Sequence, residues 1–420
     1  MKTLGWIIQD HKCRLEAQQE FNFLRWRINS KEMNMKITQD RQQSLIQQLQ
    51  ILLIKIRKQQ TIRIRQIASI RGKLIFLKPS IPKASFHIMI MNQIIKQFVN
   101  NNNWKIEIIC PKTIIPELQW WITTINLNIP INIKPFHHQA QLTSDASKDG
   151  WGGTFQIIGQ KEIKIADKWR NKESNNSSNF REISAIYLSL LQMLPQIKRY
   201  QIQDILVQTD NQVASYNINR RRANWTLAEI VERIIDLTVK ENLRLRVIHL
   251  PGVLNHTADS LSRLSRSGDY GIKKEILQQV LKEWNIKIEI DAFANRKNRK
   301  TRRFYTVNKD KWAEARDGLS QNWTNKVILV HPPIPLIPKS LAKIKEENTT
   351  AIVIVPIWEG QYWWPMLQEL KIKAKVLGKS QEVLEMGAKM KKRGLMLPPG
   401  EMGIFLITKM QKENNYSENL

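Results

Sequence analysis

Cysteine is almost missing: Cys13 and Cys110 are the only two in 420 residues. Two thiols cannot build a disulfide framework or a zinc site made of clustered cysteines. Long apolar runs are also lacking. The most hydrophobic stretch, Ala351–Ile357, is strand-sized and holds Pro356, well short of the ~20 residues a bilayer helix needs. Residues 1–10 show neither the apolar stretch nor the small-residue cleavage site of a secretory signal. These absences lead us to expect a chain that is not secreted, works in the cytoplasm or nucleus, and has no membrane partner. Acidic residues are the third shortage: 37 Asp and Glu face 66 Lys and Arg, a net charge of +29.

What is present has to answer that charge. A compact body this basic repels itself unless a polyanion is near, and nucleic acid is the usual one. An AT-biased coding sequence would enrich Lys, Ile and Asn without any ligand. It would not enrich Arg, yet Arg is dense at Arg25, Arg27, Arg57, Arg63, Arg65, Arg71 and in the run Arg220, Arg221, Arg222. The Arg run is a candidate nucleic-acid contact.

Composition and periodicity divide the chain. Residues 1–100 read as a basic, mostly helical region. Leu45, Leu49, Leu52, Leu53 and Ile56 fall at helical spacing within 41–58, and the pattern repeats over 64–77. Up to Ala140 there are 21 Lys and Arg against 7 Asp and Glu, which suggests a contact surface. A connector, 101–140, begins with Asn100–Asn103 and is punctuated by prolines, so it should be extended with one short helix. Its Trp120 and Trp121 are expected to pack it onto a neighbour. Residues 141–264 read as βββαβααβα, an α/β domain. Gly150, Gly152 and Gly153 would permit a tight hairpin turn, and Ser177 and Ser178 cap a helix running to about Leu194. A linker and helix occupy 265–283, a second α/β pattern 284–410, and 411–420 is a polar tail expected to be disordered.

Four acids stand where buried chemistry would put them. Asp145 ends a strand, Glu182 sits among apolar residues of a helix, Asp210 ends the strand Ile205–Thr209, and Asp259 lies on the last helix. Hard divalent cations take oxygen ligands and keep water and phosphate oxygens in their shell. Two such ions ~4 Å apart can activate water and stabilise a leaving oxygen. That chemistry needs several carboxylates from separate elements and no cysteine. Any one of these acids alone could be a solvated strand end; their order on this strand–helix pattern is the signal.

The pattern resembles a type-1 ribonuclease H domain of the kind attached to retroelement reverse transcriptases. Asp145-Ala-Ser with Gly-Trp-Gly, then Asn179-x-x-Glu182, then Thr209-Asp-Asn211, and finally His249-x-x-Gly-x-x-Asn255-x-x-Ala-Asp259 carry the likeness. It implies a metal-binding and catalytic set of Asp145, Glu182, Asp210 and Asp259, two Mg2+ ions with Mn2+ as substitute, and an RNA–DNA hybrid as substrate. It makes His249 a loop histidine assisting proton transfer or product departure. Asn211 and Asn255 become residues that contact the hybrid or brace the site. The stretches Phe23-Leu-Arg-Trp-Arg-Ile-Asn and Ile67-Ala-Ser-Ile-Arg-Gly-Lys-Leu74 resemble a polymerase thumb. No Tyr-x-Asp-Asp turn occurs, so DNA synthesis is not expected, and a palm would be missing or encoded upstream. Gly252 to Arg263 most resembles the DIRS-type retrotransposon group.

The C-terminal part resembles a Dam-like adenine methyltransferase domain. Ile290-Asp-Ala-Phe-Ala294, Asp317-Gly-Leu-Ser-Gln-Asn-Trp323 and His331-Pro332-Pro333 carry that likeness. Active members have Asn or Asp before the two prolines and an aromatic after them; here His331 and Ile334 stand there. Asp291, His331, Pro332 and Pro333 therefore read as a vestigial site, and S-adenosylmethionine is not expected as a cofactor. The overall expectation is an α/β chain: a helical thumb-like region, a hydrolase of RNA in RNA–DNA hybrids, and a methyltransferase-like fold, with RNA–DNA hybrid and DNA as partners. Its rivals are a catalytically silent nucleic-acid-binding remnant and a DNA adenine methyltransferase.

Overall fold

The computed structural model describes residues 16–98, 104–169, 175–263, 269–307, 309–392 and 394–408. The expectations for the 100–103 break, most of the 265–270 linker and the 411–420 tail fall outside the described residues. Contacts group the chain into two units: residues up to His137 with Arg221–Val239, and His138–Arg220 with everything from Lys240. Among the described residues no helix is long and apolar enough to cross a membrane.

The first unit is less purely helical than its periodicity suggests. Strands β1 (Glu20–Phe23), β2 (Trp26–Asn29) and β3 (Asn34–Ile37) form an antiparallel meander. Leu24 and Arg25 make its first turn with φ of 47° and 67°. Two-residue hairpin turns need left-handed backbone and usually advertise it with Asn-Gly; a Leu-Arg turn carries no such sign. Helix α1 (Gln39–Arg57) buries the stripe Leu45, Leu49, Leu52, Leu53 and Ile56. Strand β4 (Thr61–Arg63) leads into α2 (Ile64–Ile75), followed by α3 (Met89–Phe98). The connector is structured: β5 (Glu107–Ile109) pairs with β4, α4 (Ile115–Leu127) spans 13 residues, and β6 (Ile131–Asn132) joins β3. Trp121 is fully buried in the core with Leu118 and Ile125, and Trp120 stacks on His87 at 3.7 Å. The tryptophan pair thus packs the connector inward. The helix Trp225–Lys240, α7 in chain order, groups with this unit through residue 239, and its Asp236 pairs with Lys83 at 2.5 Å.

The second unit holds two sheets. The first contains β7 (Ala140–Ala146), β8 (Gly150–Ile157), β9 (Ile163–Lys168), β10 (Asp204–Thr209) and β11 (Arg244–His249) in the order β11-β10-β7-β8-β9. β7 to β9 run antiparallel, while β10 and β11 run parallel to β7. Helices α5 (Ser178–Arg199), α6 (Gln212–Asn219) and α8 (His256–Ser262) complete the expected element order. Two local readings need correction. Helix α5 runs through Pro195 to Arg199 rather than stopping at Leu194: apolar burial of Met193 and Ile197 outweighs one lost backbone hydrogen bond. Gly150, Gly152 and Gly153 lie in strand β8, not in a turn. Their role is close approach. A Cβ at Gly152 would sit 2.6 Å from the Ser262 nitrogen of α8, and one at Gly153 would sit 2.7 Å from the Thr143 carbonyl oxygen.

The second sheet comprises β13 (Ile290–Asp291), β14 (Arg303–Thr306), β15 (Ala315–Arg316), β16 (Val327–Val330), β17 (Thr350–Pro356), β18 (Lys373–Lys379) and β20 (Glu401–Ile407). Their order is β15-β14-β13-β16-β17-β20-β18, parallel except that β20 runs against both neighbours. Along β17, Ala351, Val353 and Val355 enter one core, while Ile352 and Ile354 enter the other. That is why the run is continuously apolar. Helices α10 (Ile337–Glu346) and α11 (Trp364–Leu370) cover the first face, and α9 (Lys274–Trp284) covers the second. A small ladder of β12 (Tyr270–Ile272) with β19 (Leu384–Met386), and short helices α12 (Ser380–Val383) and α13 (Ala388–Lys392), complete the unit.

Candidate active site

Parallel pairing of β7 with β10 sets Ser144 beside Thr209, so Asp145 and Asp210 emerge at the same sheet end. Helix α5 lies across β7 and brings Glu182 to them. One carboxylate oxygen from each of Asp145, Glu182 and Asp210 lies within 4.8 Å of the other two. Asp145 and Glu182 are 5% and 6% exposed, and Asp210 is half-buried. Burial, then the charges of Asp145 and Asp210, push the Glu182 carboxyl up to about 9. Burial also leads for Asp145, with Asp259 and Asp210 adding repulsion, and lifts it to about 6. The Glu182 Oε2 is buried without a hydrogen-bond partner. Three converging carboxylates, two of them forced toward neutrality and one with an orphaned oxygen, form a donor set suited to a hard divalent cation.

The fourth acid stands apart. Asp259 is near enough for its charge to act on Asp145, but its Oδ1 pairs with the Arg263 guanidinium at 2.5 Å, one helical turn on. Its oxygens are not in the three-carboxylate cluster. Arg263 was legible as an i,i+4 partner, though nothing in the motif singles it out.

The polar neighbours hold the acids in place. Asn255 is 1% exposed, and its amide donates to the Ser144 carbonyl at 3.3 Å and to Asp145 Oδ1 at 3.4 Å. It braces the site and has no surface for hybrid contact. Asn211 caps α6 by accepting from the Ala214 N–H at 2.8 Å and donates to Asn179 Oδ1 at 2.9 Å. His249 is the last residue of β11 rather than part of a loop. Its exposed ring places Nε2 3.1 Å from the Asp210 carbonyl oxygen. Arg220, Arg221 and Arg222 are all exposed; Arg220 lies over the Tyr216 ring at 4.5 Å, and Arg221 has φ 48°.

The second candidate site lies where the seven-stranded sheet reverses its order, between β13 and β16, the usual place for a ligand in such sheets. Asp291 ends β13 and is 3% exposed, but its oxygens accept from the N–H groups of Phe293 (3.4 Å) and Lys300 (3.0 Å) in its own following loop. Burial raises its carboxyl to about 6. His331 follows β16 with its ring against Tyr270 at 5.5 Å and its Nε2 buried without a partner. Burial lowers it to about 4, so the imidazole is neutral at pH 7. Pro332 and Pro333 lead into a 3-10 turn whose Ile334 is buried in the core, so no side chain faces outward where an aromatic would be needed.

No protein-family model and no curated protein sequence matches the chain. Among solved structures it is similar to a foamy viral protease–reverse transcriptase dRH in complex with double-stranded DNA, at 16% identity, over 56% of this chain and 38% of that one, with a TM-score of 0.25. It therefore spans well under half of that enzyme. It is also similar to LC11-RNase H1 in complex with an RNA/DNA hybrid, at 18% identity, over 29% of this chain and 92% of that one, with a TM-score of 0.24. RNase H1 of the halophilic archaeon Halobacterium salinarum NRC-1 is a third, at 14% identity, 29% and 91% coverage and a TM-score of 0.23.

Proposed function

We propose that this protein hydrolyses the RNA strand of RNA–DNA hybrids, within a retroelement reverse transcriptase of the DIRS type. The observation that carries the reading is the convergence of Asp145, Glu182 and Asp210 within 4.8 Å, with a buried Glu182 oxygen that lacks a donor. These three would hold Mg2+ or Mn2+, as a pair of ions with Asp259 once it is released from Arg263. Bound there, the metal supplies an acidified water and charge neutralisation at the leaving oxygen. Asn255 braces the Asp145 carboxylate through its amide. Asn211 ties the start of α6 to Asn179, one turn ahead of Glu182. His249, exposed beside Asp210, can pass a proton at the site's mouth. Arg220, Arg221 and Arg222 meet phosphates, and the 2′-hydroxyl marks the strand to be cut.

The C-terminal sheet supports a different assignment: a methyltransferase-like fold without methyl transfer. Asp291 spends its oxygens on its own loop, and Ile334 is buried.

The test is cleavage of a labelled RNA strand in a hybrid, with Mg2+ or Mn2+ and an EDTA control. Metal-dependent cuts confined to RNA, abolished by Asp210→Asn with hybrid binding kept, are expected. Tight binding by folded protein without cuts in either metal would leave only a binding remnant.

A further inference from the structure

The stretch that runs from the β13–β14 connection into β15 is strongly basic. Residues 295–316 hold nine cations, five of them Arg, against Asp310 and Glu314, a net +7 in 22 residues. Arg303 is committed to Glu314, with Nε–Oε2 at 2.6 Å. Arg296, Lys297, Arg302, Lys309 and Lys311 are exposed. Trp312 stands among them, 59% exposed. Its backbone N–H donates to Asp310 Oδ1 at 2.9 Å, and the Arg296 guanidinium lies over its ring at 4.6 Å. An exposed indole with one guanidinium over it, in a stretch of exposed cations, does nothing for the core, since Phe304 and Tyr305 of β14 already fill it.

We infer that this face is a binding surface for single-stranded nucleic acid. Arg and Lys track the phosphates, and Trp312 gives a base a face to stack on. Duplex DNA keeps its base faces covered except at the ends, so the exposed ring favours a single strand. The surface is separate from the carboxylate site and stands whether or not that site cuts RNA.

Binding of fluorescein-labelled dT20 to the full chain in EDTA, followed by anisotropy, tests it. Two phosphate contacts removed in R296A/K297A should weaken binding roughly tenfold and reduce the log–log salt slope by about 1.4. W312A should weaken binding about fivefold or more with the slope unchanged. K391A/K392A removes the same charge from exposed positions of α13 and should change binding little. Equal losses in the two double variants would reduce the effect to net charge and overturn the inference. Unchanged dT20 affinity in W312A, with unlabelled duplex competing as well as single strand, would overturn it too. Circular dichroism checks that each variant is folded.

Discussion

Glu182 carries a conflict that its surroundings do not resolve: an acid inside a helix, 6% exposed, facing two other acids. A carboxyl raised from 4.5 to about 9 on folding binds more protons in the folded state than in the unfolded one. Its contribution to stability is therefore full below pH 4.5 and is lost as pH climbs toward about 9. Without divalent cation, the thermal midpoint should fall across that window. Glu182→Gln should flatten the fall, and Mg2+ should flatten it in the parent. A parent midpoint that is level from pH 5 to 9 in EDTA would contradict the buried, repelled carboxyl. Asn255 is the complementary case. Asn255→Ala removes the amide that bonds Ser144 and Asp145, which should cost about 1–3 kcal/mol in a urea titration. RNA cleavage should fall while hybrid affinity stays, because Asn255 touches no surface.

At the scale of elements, what could be read in advance was what local pattern encodes. The stripe of α1, the run of β17 and the placing of acids at strand ends all follow from spacing, and three of the four acids do meet. The hairpin at Leu24–Arg25 was not readable, because its left-handed turn uses residues that ordinarily avoid it. The spacing of the β8 glycines suggests a turn, yet they lie within a strand. Gly152, and in part Gly150, make room for α8, whose Leu261 and Ser262 lie where side chains would project, while Gly153 makes room for the Thr143 carbonyl. The helix that needs that room is over 100 residues away. Two alanine substitutions separate these roles. Gly152→Ala must push α8, with Asp259, off the sheet, and should cost about 1–3 kcal/mol and lower cleavage. Gly72 lies in α2 with nothing within 4 Å of an added Cβ, so Gly72→Ala should stabilise by about 0.5–1 kcal/mol. A urea midpoint that rises in Gly152→Ala as well would show that α8 does not pack closely over β8.

At the scale of the molecule, the motif-bounded stretch 141–264 is not what the contacts enclose. Residues 221–239 group with the N-terminal unit, while Ala166 and Leu261 belong to the apolar cluster built around Trp358, Trp363 and Leu367. Strand β9 is an edge, and an unpaired edge invites pairing with other chains. Gln361 closes it: its amide, oriented to suit, accepts from the Ala166 N–H at 2.7 Å and donates to the Ala166 carbonyl at 3.2 Å. Gln192 adds a bond to the Gly360 carbonyl at 3.0 Å. No spacing rule could have announced a side chain nearly 200 residues away as the cover of a strand. A protein cut to residues 138–263 keeps all four acids but loses this cover and the rest of the shared core. It should melt roughly 10 °C or more below the full chain and self-associate at rising concentration. Gln361→Ala in the full chain should reproduce a fraction of the loss without removing any cluster residue. If the excised piece melts with the full chain and stays monomeric in sedimentation, the C-terminal sheet is not what holds β9 in place.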